Sequence, residues 1–178
     1  SSNIHLIGLV SDGGVHSHID HLKEIIVSLS DVKDKIFIHA FTDGRDVDPK
    51  SGVNHIETLE SFCKENGGKL STVIGRYFSM DRDNRWERIY KAYDLICNGN
   101  GKKTLNFTKK IKESYSKNIT DEFLEPIIKT DNNGNPLHQL KENDTVIFFN
   151  YRSDRGRQLT SVLCEKNKSE LGMKSVIN

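Results

Sequence analysis

The sequence predicts an α/β fold, in which a mostly parallel sheet carries helices on both faces and a small β-hairpin element is added. Short apolar runs recur along the chain, and most end at a turn that contains glycine or aspartate. Between these runs, apolar residues repeat at three- and four-residue steps, which is the spacing of an amphipathic helix. The chain has 178 residues, a length typical of one domain, so we expect a single domain.

The first strand-helix-strand unit is predicted within the first 44 residues. The apolar run 4–10 ends at Ser11-Asp12-Gly13-Gly14 and predicts a buried strand. Apolar side chains at helical spacing over 19–29 predict a helix, and a second apolar run over 36–41 predicts the next strand. Strands that alternate with helices in this way favour parallel pairing.

The same alternation continues along the rest of the chain. A helix is predicted over 53–63, a strand over 70–74, and a further apolar stripe at helical spacing over 86–97. Residues 127–140 have two short apolar stretches around a polar turn, which predicts the hairpin. A last strand is predicted over 145–150.

Charge and cysteine content argue against several classes of function. Lys and Arg total 26 and Asp and Glu total 25, so the net charge of +1 does not predict binding to nucleic acid or to a membrane. No apolar run approaches the ~20 residues that span a bilayer. Cys63, Cys97 and Cys164 lie far apart and form no CxxC pair, which favours free thiols in a reducing, cytoplasmic setting.

Polar loops follow four of the predicted strands, and in a parallel sheet such loops gather at the carboxyl edge, where ligands bind. The first loop, 11–18, combines glycines with His16 ahead of a helix N-terminus, which suits an anion. His16, His18 and His21 could instead bind a metal, but helical spacing places only His18 and His21 on one face, which disfavours it. A capping role for this loop remains open.

The other three loops carry arginines. Asp43-Gly44-Arg45-Asp46 joins a planar donor to a carboxylate that could exchange a hydroxyl proton, although a turn stabilised by aspartates would have the same sequence. Loop 75–86 has three arginines within ten residues, and Arg152 and Arg155 are spaced by one helical turn and could face the same point. Arginines after three different strands predict a small, multiply anionic ligand.

Five strings in order resemble the insert domain of cofactor-independent, that is 2,3-bisphosphoglycerate-independent, phosphoglycerate mutases. They are SDGGVHSH at 11–18, DGRDVDP at 43–49, GRYFSMDRDNRW at 75–86, DEFLEP at 121–126 and FFNYRSDR at 148–155. The resemblance covers most of the chain. Tyr151 and Ser153 depart from the Phe and Pro that the family often has, and neither position is a substrate ligand in the family pattern.

The resemblance implies an activity and a set of site residues. Such enzymes belong to the alkaline phosphatase superfamily and interconvert 3-phosphoglycerate and 2-phosphoglycerate, in glycolysis and gluconeogenesis, through a phosphoserine intermediate. Asp46 is implied as the catalytic acid/base for the glycerate hydroxyls. Substrate contacts are implied for seven residues, which are His16, Arg45, Asp46, Arg76, Arg82, Arg152 and Arg155.

The resemblance also implies that residues 1–178 form one substrate-binding domain of a two-domain enzyme. The nucleophilic serine and the ligands of two Mn²⁺ ions would lie in a phosphatase-like domain outside this segment. We therefore expect no cofactor or metal within it, no mutase activity from it alone, and a monomeric cytoplasmic enzyme whose partners are the phosphoglycerates and the missing domain. A non-catalytic module that binds sugar phosphates and a metal hydrolase that uses the histidines are the alternatives.

Overall fold

A computed structural model describes residues 2–165 and 167–177, so the predicted domain 1–178 begins and ends at residues outside the described ones. Its strands form one sheet in the order β4-β5-β3-β2-β1-β6. Their bounds are β1 Ile4–Val10, β2 Ile36–Thr42, β3 Lys69–Gly75, β4 Lys102–Thr104, β5 Ile127–Lys129 and β6 Thr145–Phe148. The pairs β1-β2, β2-β3, β1-β6 and β4-β5 are parallel and β3-β5 is antiparallel, which confirms the mostly parallel sheet.

Helices cover both faces of this sheet, as predicted. The α-helices of the described residues are α1 Ile19–Ser28, α2 Gly52–Asn66, α3 Arg76–Ser79, α4 Trp86–Tyr93, α5 Phe107–Tyr115 and α6 Arg157–Cys164. Shorter 3-10 segments are Ser30–Lys35, Asp121–Phe123 and Ser169–Leu171, and one π-helical turn is Asp94–Asn98. No helix within the described part is long and apolar enough to cross a membrane.

Alternate side chains of β1 enter two separate hydrophobic clusters. Leu6 and Val10 pack with residues of α1, α2 and α5 on one face. Ile7 and Leu9 pack with residues of α3, α4 and α6 on the other face. Because side chains alternate across a strand, an uninterrupted apolar run is what a strand covered on both faces requires.

The predicted hairpin is shorter than its sequence pattern. Its first arm is β5, and across the turn it forms an isolated bridge between Thr130 and Pro136. The amide of Leu137 also donates to the carbonyl of Lys129 at 3.1 Å. Residues 137–140 are not a strand, because β3 and β4 already occupy the two edges of β5. The amide of Leu140 donates instead to the carbonyl of Ile96 at 3.0 Å.

A pair of leucines tests the placement of α2 against the sheet. Leu59 of α2 is fully buried, whereas Leu105, between β4 and α5, is 58% exposed. We expect Leu59→Ala to lower the free energy of unfolding by about 2–5 kcal/mol, through lost burial and a residual cavity. Leu105→Ala should change it by about 0.5 kcal/mol or less in urea denaturation followed by circular dichroism. Similar losses in the two variants would contradict the placement.

Candidate anion-binding site

Loops from four parallel strands meet at the carboxyl edge of the sheet. The loop after β6 is held on the loop after β1 by two contacts: the Tyr151 hydroxyl donates to the Gly14 carbonyl, and the Arg152 amide donates to the His16 carbonyl at 3.3 Å. The Asn150 side-chain oxygen also accepts from the amide of Leu9 at 2.9 Å. These bonds bring the first and fourth predicted loops together.

Asp43 organises the loop after β2 and joins it to the loop after β1. Its Oδ1 accepts from the amides of Arg45 and Asp46 at 3.1 and 3.0 Å. Its Oδ2 accepts from the Ser11 hydroxyl at 2.7 Å. Burial would raise the pKa of Asp43, but hydrogen bonds from the Asp46 amide, from Ser11 and from Arg76 keep the pKa below its ordinary value of 3.8. Asp43 is therefore a buried carboxylate.

Gly44 allows the same loop to pass close to the chain at Asp121. Its φ of +68° lies in the left-handed region that side chains disfavour. A Cβ at this position would lie 2.8 Å from the Cβ of Asp121 and 2.9 Å from the amide nitrogen of Glu122. The turn that presents Arg45 and Asp46 thus requires a glycine for both its backbone conformation and its space.

Arg76, the first residue of α3, is only 4% exposed and connects three of the loops. Its Nη1 donates to Asp43 Oδ1 at 2.8 Å and to Asp46 Oδ2 at 2.6 Å. Its Nη2 lies 3.1 Å from Nε2 of His16. A guanidinium buried to this degree is stable only when carboxylates accept its hydrogen bonds, and two carboxylates do so here.

The imidazole of His16 is neutral and its tautomer follows from Arg76. Burial, and next the charges of Arg76 and Arg152, lower the pKa of His16 from its ordinary value of 6.5. Because a guanidinium can only donate, Nε2 of His16 must accept and the ring proton must lie on Nδ1. That nitrogen is buried without a hydrogen-bond partner, 3.9 Å from Oδ1 of Asp154. His16 is therefore an N–H donor that a ligand could use.

Asp154 joins two further arginines to this network. Its Oδ2 accepts from Nη1 of Arg82 at 2.9 Å, and its Oδ1 lies 2.9 Å from Nε of Arg152. Both arginine side chains are about half exposed, at 45% and 47%. Asp154 thus places arginines from the loops after β3 and β6 beside His16.

A cavity of about 340 Å³ opens between these loops and is lined mainly by charged side chains. Its arginines are Arg45, Arg76, Arg82, Arg85, Arg88 and Arg155. Burial, and next the charges of Arg82, Arg76 and Arg45, lower the pKa of Arg155 below its ordinary value. Arg155 also donates to the carbonyl of Met80 at 3.2 Å. Mutual repulsion among these cations is what a bound anion would relieve.

The structure brings most of the predicted residues to this cavity. Arg45, Arg76, Arg82 and Arg155 line it. His16 and Asp46 adjoin it through their contacts with Arg76. Arg152 lines a different cavity of about 590 Å³. The helical spacing assumed for Arg152 and Arg155 is absent, because residues 154–156 form a turn and α6 begins only at Arg157.

The histidines of the first loop have separate roles. His18 is the N-cap of α1, where its Nδ1 accepts from the amide of Asp20 at 3.2 Å. The capping role that the sequence left open therefore belongs to His18. In the part of the chain that the structure describes, no group of three potential ligands close enough to share an ion includes His16, His18 or His21.

Sequence reasoning missed several residues of the site. Asp43 and Asp154 were present in the loops but were not assigned a role, although one directly follows β2 and the other lies between two arginines. Arg88, on α4, has its guanidinium carbon 3.8 Å from the ring centre of Tyr77. Oε1 of Glu122 lies 3.6 Å from Nη1 of Arg45. Only the fold could show that Arg88 and Glu122 reach the same cavity.

The chain is similar to known proteins of a single kind. The family model described as BPG-independent PGAM N-terminus matches residues 1–177. The chain is 54% identical over 171 residues to the 2,3-bisphosphoglycerate-independent phosphoglycerate mutase of Flavobacterium psychrophilum, covering 96% of this chain and 34% of that protein. It is 47% identical over 175 residues to the protein of the same name from Bacteroides fragilis, covering 98% and 34%.

A solved structure has the same fold over the whole chain. The structure of Leishmania mexicana phosphoglycerate mutase at low cobalt concentration aligns with a TM-score of 0.91 and 29% identity, covering 100% of this chain and 35% of that one. The chain thus spans about a third of the length of each of these relatives.

Two variants with opposite effects test the electrostatics at His16. Arg152 lowers the pKa of His16 and Asp154 raises it. We therefore expect Arg152→Gln to raise that pKa and Asp154→Asn to lower it further, measured by NMR titration of the His16 ring resonances. In the unmodified chain the midpoint of the His16 titration should lie below pH 6.5. Shifts in the same direction in both variants would contradict this arrangement.

Proposed function

Because the chain belongs to the BPG-independent PGAM N-terminus family, we propose that it is the substrate-binding domain of an enzyme that interconverts 3-phosphoglycerate and 2-phosphoglycerate. The observation that supports this most strongly is the convergence of Arg45, Arg82 and Arg155 on one cavity from the loops after β2, β3 and β6. A phosphoglycerate carries a carboxylate and a phosphate, and guanidinium groups bind both with paired hydrogen bonds.

The arginines of the cavity have donors to offer such a ligand. A guanidinium has five N–H donors. Arg155 uses one in its hydrogen bond to Met80, and Arg82 uses one in its hydrogen bond to Asp154. Arg76, by contrast, is held by Asp43, Asp46 and His16. We assign Arg76 a mainly positioning role and the arginines at the rim the larger share of ligand contacts.

Asp46 is the better candidate of the two carboxylates for proton exchange with a glycerate hydroxyl. Both accept hydrogen bonds from Arg76, but the Asp43 side chain is 2% exposed and that of Asp46 is 19% exposed. A ligand can therefore reach Asp46 while Asp43 stays beneath it. His16 lies 3.8 Å from the same Asp46 oxygen and could donate from its Nδ1 to a ligand oxygen.

The donor chemistry of this site suits an anion and not a metal ion. Its carboxylates Asp43, Asp46 and Asp154 are each engaged by arginine. The acids that line the cavity, Asp81, Asp83 and Glu122, are also each paired with an arginine. We therefore place the two Mn²⁺ ions, which would supply Lewis-acid chemistry for phosphoryl transfer, in the remainder of the enzyme together with the nucleophilic serine. We expect that enzyme to be monomeric and cytoplasmic, and this domain alone to be inactive.

Binding of 3-phosphoglycerate to the chain tests the cavity directly. We expect Arg155→Gln to weaken binding about 10- to 100-fold in isothermal titration calorimetry, because a hydrogen bond between charged groups is lost. The matched control is Arg157→Gln, since Arg157 does not line this cavity. Equal weakening in both variants, or no saturable binding by the unmodified chain, would contradict the assignment.

The role of Asp46 is tested in the full-length protein that contains this chain. We expect Asp46→Asn to lower kcat of a manganese-dependent mutase by about 100-fold or more with a smaller change in KM, because proton exchange is lost while the arginines remain. Arg157→Gln should leave both constants unchanged. If the unmodified full-length protein bound phosphoglycerate without mutase activity, a non-catalytic sugar-phosphate module would be favoured instead.

A further inference from the structure

A second cluster of ionisable side chains lies near the amino ends of β1 and β6, away from the arginines. His5 is the second residue of β1, and Asp144 directly precedes β6. Both are buried, with exposures of 0% and 7%. Nε2 of His5 lies 3.2 Å from Oδ2 of Asp144. The proposed phosphoglycerate chemistry uses neither residue.

His138 is the third member of this cluster and lies beside the same carboxylate oxygen of Asp144. Its Nε2 lies 3.5 Å from Asp144 Oδ2, and its ring stacks on Phe37 with centroids 4.3 Å apart. The side chain of His138 is 15% exposed, so this side of the cluster borders solvent. One ligand atom from each of His5, His138 and Asp144 lies within 4.8 Å of the others.

Two of these separations are close to the edges of a tetrahedral zinc site. Zn²⁺ binds histidine nitrogen and carboxylate oxygen at about 2.0–2.2 Å, which places neighbouring ligands about 3.3–3.6 Å apart in a tetrahedron. The two contacts of Asp144 Oδ2, at 3.2 and 3.5 Å, are close to this range. We propose that His5, His138 and Asp144 form a Zn²⁺ site, whose fourth position is open to water on the side of His138.

A hydrogen-bonded row behind His5 supplies the support that metal-binding histidines need. His5 Nδ1 lies 2.8 Å from His39 Nε2, and His39 Nδ1 lies 2.8 Å from the Thr72 hydroxyl oxygen. Asp144 is oriented as well, since its two oxygens accept from the amides of Asn3 at 2.8 Å and Lys141 at 3.0 Å. Such outer partners fix the orientation and tautomer of metal ligands.

Zinc would reverse the direction of this row. Without metal, the carboxylate of Asp144 accepts from Nε2 of His5, so His5 Nδ1 accepts from His39 and His39 accepts from Thr72. With zinc on Nε2, the proton of His5 lies on Nδ1 and the row donates toward Thr72.

Burial lowers the pKa of His5 to about 4, so its ring is neutral at pH 7, as a ligand must be. The ion would also displace the side-chain amide nitrogen of Asn3, which lies 3.0 Å from Nε2 of His138.

The test is zinc binding by the chain after treatment with a chelator. We expect one Zn²⁺ per chain in calorimetry and colorimetric metal analysis. His138→Ala, at the rim, should weaken binding by more than the about 10- to 100-fold that loss of an outer partner costs. Thr72→Val removes an outer partner and should therefore weaken zinc binding by about 10- to 100-fold. The control is His21→Ala, since His21 is an exposed histidine of α1 and should leave binding unchanged.

NMR of the unmodified chain gives a second readout that needs no variant. Ring ¹⁵N spectra should show His5 protonated on Nε2 without metal and on Nδ1 with zinc, and His39 should change in the same sense. Sub-stoichiometric binding, equal affinity in His138→Ala and His21→Ala, or unchanged tautomers of His5 and His39 on adding zinc would each overturn the proposal.

Discussion

The buried guanidinium of Arg76 is the constraint on which the carboxyl edge of the sheet depends. With an exposure of 4%, it needs carboxylate partners, because an unpaired buried charge costs several kcal/mol. Asp43 and Asp46, from the loop after β2, provide them, and Asp43 in turn accepts from Ser11 after β1. The two ion pairs of Arg76 therefore fix three loops relative to one another.

The site has two layers with different roles, one buried around these ion pairs and one exposed. Arg76 and Asp43 form a buried layer whose hydrogen bonds are made within the protein, and His16 joins this layer through its Nε2. Above it, Arg45 and Arg82 are about half exposed, with side-chain exposures of 54% and 45%. A fixed layer beneath exposed cations is the arrangement that electrostatic preorganisation requires, since the donors are in place before charge develops on a ligand.

The sequence was sufficient where a feature depends on local pattern, and insufficient where it depends on tertiary contacts. The strand Ile4–Val10 was predicted to the residue, because a strand buried on both faces is an unbroken apolar run. The second arm of the hairpin failed because β3 and β4 occupy both edges of β5. The contact between His5 and Asp144 joins residues 139 positions apart, and in the sequence His5 is only one residue of an apolar run.

The convergence of the arginines is tested most directly by a crystal structure of the chain with 3-phosphoglycerate bound. We expect the carboxylate and phosphate oxygens to lie within hydrogen-bond distance of Arg45, Arg82 and Arg155, with a glycerate hydroxyl beside Asp46. A ligand bound elsewhere, or guanidinium groups of these arginines that face away from one another, would contradict it.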